Sequence, residues 1–264
     1  MSAATLPNDV RFMHALTRLL MYTFALLLVW AVLLWLVRLP AFGLRGITVT
    51  GDVAYNNAVT VRANVAPRLS GNFFTLDLAS ARDVFETLPW VQHAVVQREF
   101  PNRLRVVLRE QRPVAHWGDE QDARMVNADG EVFDAGASGD EHESLPRLRG
   151  PSAETSAQVL QMHRQLNQTF SVLQMSVDEL SLSARGSWRA VLDGGAQVEL
   201  GRGSDDEVLA RTRRFVDTLT QVAGKHGRRA QMLESADLRH TDGYALRLRG
   251  VRTVGDNRTA ASKP

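Results

Sequence analysis

Seven histidines, twenty-nine carboxylates and no cysteine are the side chains from which this 264-residue chain would have to assemble a reactive or metal-binding centre. The histidines are His14, His93, His116, His142, His163, His226 and His240, and no pair has the H-E-x-x-H spacing that puts two imidazoles on one helix face. Without cysteine there is no thiolate nucleophile, no Cys-ligated zinc and no disulfide. No serine sits in a G-x-S-x-G elbow or an S-x-x-K pair. Gly201-Arg202-Gly203 lacks the third glycine and the Lys-Ser/Thr of a phosphate loop, so it reads as a strand exit and turn, with an anion nest as the competing reading. Asp119, Glu120, Asp122, Asp129, Glu131, Asp134, Asp140, Glu141 and Glu143 make an acidic stretch without EF-hand spacing, expected to be a solvated surface. Trp90, Trp117 and Trp188 lie beside apolar residues and are expected in cores. The expectation is a non-enzyme with no cofactor, metal or catalytic residue.

The bulk composition narrows the remaining classes. A net charge of +2, with arginines spread along the chain, leaves no concentrated footprint for nucleic acid. The absence of thiols is compatible with an oxidising compartment. From Leu19 to Val37 no residue is charged, and Leu, Val, Ala, Phe and Trp dominate. Nineteen residues at about 1.5 Å each give roughly 28 Å, close to the ~30 Å hydrocarbon core. Arg18 and Arg38 bracket the run and can reach the two interfaces. The run exceeds a signal peptide's apolar region and is followed by Arg38-Leu39-Pro40-Ala41-Phe42, a poor cleavage site, so a retained anchor is expected. Basic residues are nearly balanced across it and leave its orientation open.

Beyond a short linker, the pattern predicts a strand over Ile47–Gly51, a helix over Val59–Leu69 that Pro67 makes uncertain at its end, and a second helix capped by Asp77 or Ser80 and running to about Leu88. Two strands follow, roughly Val91–Phe100 and one in which Leu104, Val106 and Leu108 alternate with Arg103, Arg105 and Arg109. That strand–helix–helix–strand–strand order is a small α+β module with its helices on one sheet face. Next comes a hairpin, Arg124–Asn127 with Glu131–Phe133, and an exposed loop over Gly136–Ser144. A break at Leu145-Pro146 to Gly150-Pro151 precedes a helix from about Ser152 to Phe170. Three alternating strands carry Leu180/Leu182/Ala184, Trp188/Ala190/Leu192 and Val198/Leu200. A helix capped by Ser204 or Asp205 turns Leu209, Val216 and Leu219 inward. The chain closes on a hairpin of Leu233–His240 and Tyr244–Arg249 around Thr241-Asp242-Gly243. In it Tyr244, Leu246 and Leu248 should face the core and Arg247 and Arg249 the solvent. As the last strand it can leave a free edge of N–H and C=O groups for an incoming strand.

Several strings now stand in a definite order: Ile47-x-Val49-x-Gly51, Gly71-Asn72-Phe73-Phe74-Thr75-Leu76-Asp77, Leu88-Pro89-Trp90-Val91 and Val96-x-Arg98-x-x-Pro101-x-x-Leu104-x-Val106. After them come Glu110-x-x-Pro113-x-Ala115-x-Trp117, Asn127-x-x-Gly130-x-x-Phe133, Leu145-Pro146-x-Leu148-x-Gly150-Pro151, Trp188, Leu200-Gly201-Arg202 and Asp237-Leu238-Arg239-x-x-x-Gly243-x-Ala245. Behind an N-terminal anchor, this order resembles the FtsQ/DivIB family of bacterial cell-division proteins over nearly all of the chain past its N-tail. Phe100 stands where the family often has Trp, and His240 where Tyr commonly follows Asp-Leu-Arg.

The resemblance implies an α+β protein divided into a cytoplasmic tail (1–18), a transmembrane helix (19–37), a POTRA domain (44–112), a mixed α/β β-domain with an antiparallel sheet (113–250) and a flexible tail (251–264). It implies a single-pass protein of the inner membrane, N-terminus cytoplasmic, bulk periplasmic, enriched at the division septum. Its role there would be a scaffold linking early and late division proteins, with FtsB and FtsL as periplasmic partners of the β-domain. Other division proteins would meet the POTRA and transmembrane segments. The residues expected at the FtsB-type contact are Arg202, Arg239, His240, Asp242, Gly243, Tyr244, Arg247 and Leu248. The alternative is a POTRA-bearing component of polypeptide transport or outer-membrane assembly. That class usually carries a membrane β-barrel or tandem POTRA copies, and the alternating segments here are too few and interrupted by helices.

Overall fold

The computed structural model describes residues 8–37, 39, 42–55, 58–136, 142–240 and 243–251. The chain divides into two compact units, 1–110 and 111–264.

The first unit opens with α1 (Asn8–Val37), whose stretch Phe12–Val37 is long and apolar enough to cross a membrane, with none of it buried against the protein. An uncovered helix that is apolar on every face has no stable place in water. The expected span Leu19–Val37 lies inside it, with Arg18 exposed on it; Arg38 lies outside the described residues.

β1 (Gly46–Gly51), α2 (Ala58–Val65), α3 (Leu78–Glu86), β2 (Val91–Glu99) and β3 (Arg103–Glu110) follow in the expected order. They form a three-stranded sheet, β1-β3-β2, with β1 parallel and β2 antiparallel to β3. The helical run past Val65 tightens into a 3₁₀ turn over Ala66–Arg68 around Pro67, whose ring cannot donate an N–H to a continuing α-helix. Asp77, not Ser80, caps α3 by accepting from the Ala79 N–H at 3.0 Å. α3 ends at Glu86, two residues earlier than its apolar pattern suggests, and Thr87 closes it ahead of Pro89. Leu104, Val106 and Leu108 of β3 are buried with Val61, Val65, Ala81 and Phe85, while its arginines face outward. The buried Glu110 carboxylate accepts from the Ala54 and Tyr55 N–H groups, tying the end of β3 to the loop after β1.

In the second unit nine strands form one sheet: β4 (Pro113–Trp117), β5 (Arg124–Asn127), β6 (Val132–Asp134), β7 (Arg147–Arg149), β8 (Val177–Leu182), β9 (Trp188–Leu192), β10 (Gln197–Gly201), β11 (Leu233–Asp237) and β12 (Ala245–Leu248). Their spatial order is β12-β11-β10-β9-β8-β7-β4-β5-β6. The sheet is mixed, combining antiparallel with parallel pairings. Among the described residues β4–β7, β7–β8 and β10–β11 run parallel, and the other pairings are antiparallel. Two of the parallel junctions follow from helices. α4 (Ser156–Ser171) carries the chain from β7 to β8, and α5 (Asp205–Lys225) from β10 to β11, as parallel neighbours require. β4 and β7 are strands that sequence patterning missed, because neither the five residues from Pro113 nor the three between Pro146 and Gly150 announce a period.

The register gives the sheet two unlike faces. Trp117, Leu148, Leu180, Ala190, Val198, Ala236 and Leu246 form one continuous inward row across seven strands. The row shares one core with Leu160, Leu166 and Phe170 of α4 and with Val208, Phe215 and Leu219 of α5. One residue along lies the row Arg147, Glu179, Val191, Gln197, Ser235 and Arg247 on the opposite face, as a side-chain period of two demands. The predicted cores at Trp90, Trp117 and Trp188 are buried.

Candidate protein-docking edge

β12 is the terminal strand of the sheet. It pairs antiparallel with β11 on one side, and among the described residues no strand lies on the other. The ladder matches Asp237 with Ala245, Ala236 with Leu246 and Ser235 with Arg247. Ala245 and Arg247 are exposed, Leu246 is half-buried and Leu248 is buried. Leu248 can therefore offer a partner only backbone, since its side chain belongs to the core. The half-buried Tyr244 is turned inward too. Its hydroxyl shares a 2.7 Å hydrogen bond with Thr218 of α5, and its ring meets Phe215 edge-on at 4.9 Å. These two contacts anchor the start of β12 to α5, and among the described residues no strand pairs with its outer backbone.

The charged groups lie around this edge. Arg239 clamps Asp237 through two parallel hydrogen bonds, Nε to Oδ1 at 2.9 Å and Nη2 to Oδ2 at 2.6 Å, fork against fork. The Arg239 hydrogen bonds, with its positive charge in support, hold the Asp237 carboxyl near a pKa of about 2. The Arg239 side chain keeps 59% of its surface exposed, so it can accept a second carboxylate from outside. Gly201 makes this position possible. It sits at φ +81, and a Cβ there would lie 3.0 Å from Arg239 Cγ.

Arg202 is exposed one residue further on, and its carbonyl accepts from Arg211 Nη2 at 2.6 Å. Arg211 is the residue sequence reading missed. Its guanidinium packs under the Gly201–Gly203 turn, and its Nε is buried with no partner among the described residues. One signal was available: an arginine on the second turn of α5, beside Leu209 and Thr212, on the flank that meets the turn.

Arg247 reaches Glu234 at 3.8 Å and Arg249 donates to the Gly194 carbonyl. His240 and Gly243 are exposed; Asp242 lies outside the described residues. The structure thus gathers Arg202, Arg239, Tyr244 and Arg247 around β10–β12. Further along the outer face Arg189 pairs with Glu199 at 2.6 Å.

The acidic stretch is partly neutralised by its own arginines. Asp122 meets Arg124 at 2.9 Å, and that hydrogen bond draws its carboxyl below the usual range. Among the described residues no three His, Asp or Glu side chains converge as metal ligands.

An apolar N-terminal helix, a β-α-α-β-β module and a mixed sheet whose last strand has no neighbour on one side among the described residues fit a single-pass membrane protein with two folded units. Residues 42–111 match the family model for the POTRA domain, FtsQ-type, and residues 115–239 that for the cell division protein FtsQ/DivIB C-terminal region. The chain belongs to the FtsQ/DivIB family of cell-division proteins. It is 39% identical over 250 residues to the cell division protein FtsQ of Burkholderia pseudomallei, covering 94% of this chain and 97% of that one. It is 36% identical over 261 residues to FtsQ of Thiomonas arsenitoxydans, covering 98% and 94%. To FtsQ of Bordetella pertussis it is 37% identical over 263 residues, covering 91% and 92%. The matched C-terminal region ends at Arg239, so β12 falls outside it.

Proposed function

We propose that this protein is a non-catalytic scaffold of the division machinery, held in the inner membrane by α1, that captures FtsB and FtsL on the β12 edge of its second unit. In this reading the N-terminus is cytoplasmic, the bulk of the chain is periplasmic, and the protein gathers at the septum as a link between early and late division proteins. The proposed boundaries are a POTRA domain over 44–112 and a β-domain over 113–250. The observation that carries the reading is the terminal position of β12 beside exposed arginines. An edge strand supplies main-chain hydrogen bonds to an added strand, and flanking charges select which strand is accepted. Arg239, Arg202 and Arg247 favour a partner segment rich in carboxylates. The test is capture of purified FtsB and FtsL by the full-length protein in lipid nanodiscs. Binding that is lost when residues 244–251 are deleted supports the reading. Failure to capture either protein, or capture indifferent to that deletion, defeats it.

A further inference from the structure

The first unit carries a cluster of phenylalanines that its core does not need. Phe100, at the turn between β2 and β3, leaves 77% of its surface exposed, and Phe74 leaves 47%. Phe74 meets Phe42 edge-on at 5.0 Å and Phe73 at 5.1 Å, and Phe73 stands 6.2 Å from Phe100. The rings are held firmly. Asn72 Oδ1 accepts from the Phe74 and Thr75 N–H groups at 2.9 Å, and Arg98 donates to the Phe73 and Leu76 carbonyls. The cluster also lies against the end of α1: Asn72 Nδ2 donates to the Val37 carbonyl at 2.6 Å, and the Phe73 N–H to the Phe42 carbonyl at 2.9 Å.

We infer that Phe42, Phe74 and Phe100 form a lipid-contacting tip that seats the first unit on the bilayer where α1 leaves it. Phe42 follows Val37 by five residues, which span at most about 17 Å. The tip thus stays close to the headgroup region, some 5–8 Å deep on each side of the hydrocarbon core. Phenylalanine rings on a membrane-facing surface bury at the boundary between headgroups and acyl chains, and exposed basic side chains pair with the phosphates. Arg45, just before β1, and Arg103, at the start of β3, are exposed beside the tip, whereas the nearby Glu99 is already bonded to Arg105 at 2.6 Å. A bilayer is the occupant that chain connectivity holds within reach at all times.

The inference rests on α1 crossing the membrane, and its test separates the two. The natural chain has no cysteine, so single cysteines at Leu28, Asn102 and His93 can each carry a nitroxide in the full-length protein, reconstituted into phosphatidylethanolamine–phosphatidylglycerol vesicles. Power saturation with oxygen and with a polar nickel chelate reads depth. The label at 28 reports the span, that at 102 the tip, and that at 93 an exposed site near the start of the edge strand β2, at the end of the sheet away from the tip. The expected result is shielding from nickel at 28 and at 102 but not at 93, with loss of the shielding at 102 in Phe100→Ser and Phe74→Ser backgrounds. A label at 102 as open to nickel as that at 93, while 28 stays shielded, overturns the tip and spares the span. So does shielding at 102 that survives both serine variants, or that arises only when another division protein is added. Nickel access at 28 overturns the span and the tip together.

Discussion

At the scale of single residues, the docking edge depends on an arginine already engaged with its own chain. Arg239 donates to Asp237 and still leaves more than half of its side-chain surface exposed. Arg239→Glu would replace that pair with two facing carboxylates and present a negative charge to an acidic partner. Affinity for FtsB should fall at least tenfold in a titration, with the circular dichroism of the variant unchanged. Arg239→Gln isolates the local effect: the Asp237 carboxyl, now near a pKa of about 2, should rise toward 3.8 in an NMR titration. Because Asp237 is depressed in the fold, its contribution to stability is present above 3.8 and is lost as pH falls toward 2. The contribution is small, because the pair is largely solvated.

His163 has the opposite setting. It is buried on α4 with Nε2 2.8 Å from the Val177 carbonyl oxygen, and burial holds its pKa below the ordinary 6.5. The unfolded chain therefore takes up the proton first, so stability should decline as pH falls below 6.5. In His163→Gln that slope should flatten, as denaturant titrations at pH 7.5 and pH 5.5 would register. Alternation already turned Tyr244 inward, but neither its contact with Thr218 nor the place of Arg211 under its glycine turn was legible in the sequence. Which side of an exposed helix an arginine shares with a turn depends on how the helix docks, and no local pattern records that.

At the scale of elements, the strongest local instructions held and the weakest were overridden. Ser204 and Glu207 exchange hydrogen bonds in a complete capping box at the start of α5, the helix that carries the chain from β10 to β11. Ser204→Ala should cost about 1 kcal/mol of stability, read from the denaturant midpoint of the second unit. Alternation in β3, β8, β9 and β10 was strict enough to assign strand and face together. β7 is the counterexample: three residues become a central strand only because β4 and β8 flank them with complementary backbone. The parallel pairings within this sheet were not legible for a related reason. Hairpins announce themselves through Asp-Gly turns, whereas a parallel pairing is decided by where a helix returns the chain.

At the scale of the whole molecule, anchoring and docking fall on different segments, and each should be separable. Leu28→Arg places a charge mid-span at a cost of about 2.5–3.5 kcal/mol on insertion scales. It should shift the protein from the carbonate-resistant membrane fraction toward the extractable one. A chain beginning at residue 42 should be recovered in soluble form and still capture FtsB, if the edge strand acts as proposed.

The sequence by itself determined the anchor, the order of elements in the first unit, most strands of the second and the absence of a recognisable catalytic motif. Those properties are written in length, period and residue type over short windows. Only the tertiary structure decided that the last strand has no described neighbour on its outer side, that the inward Tyr244 meets Thr218 and Phe215 of α5, and that Phe42, Phe74 and Phe100 cluster at the foot of α1. Each of these depends on residues tens of positions apart arriving at one place, and that meeting is set by packing across the fold rather than by any local run.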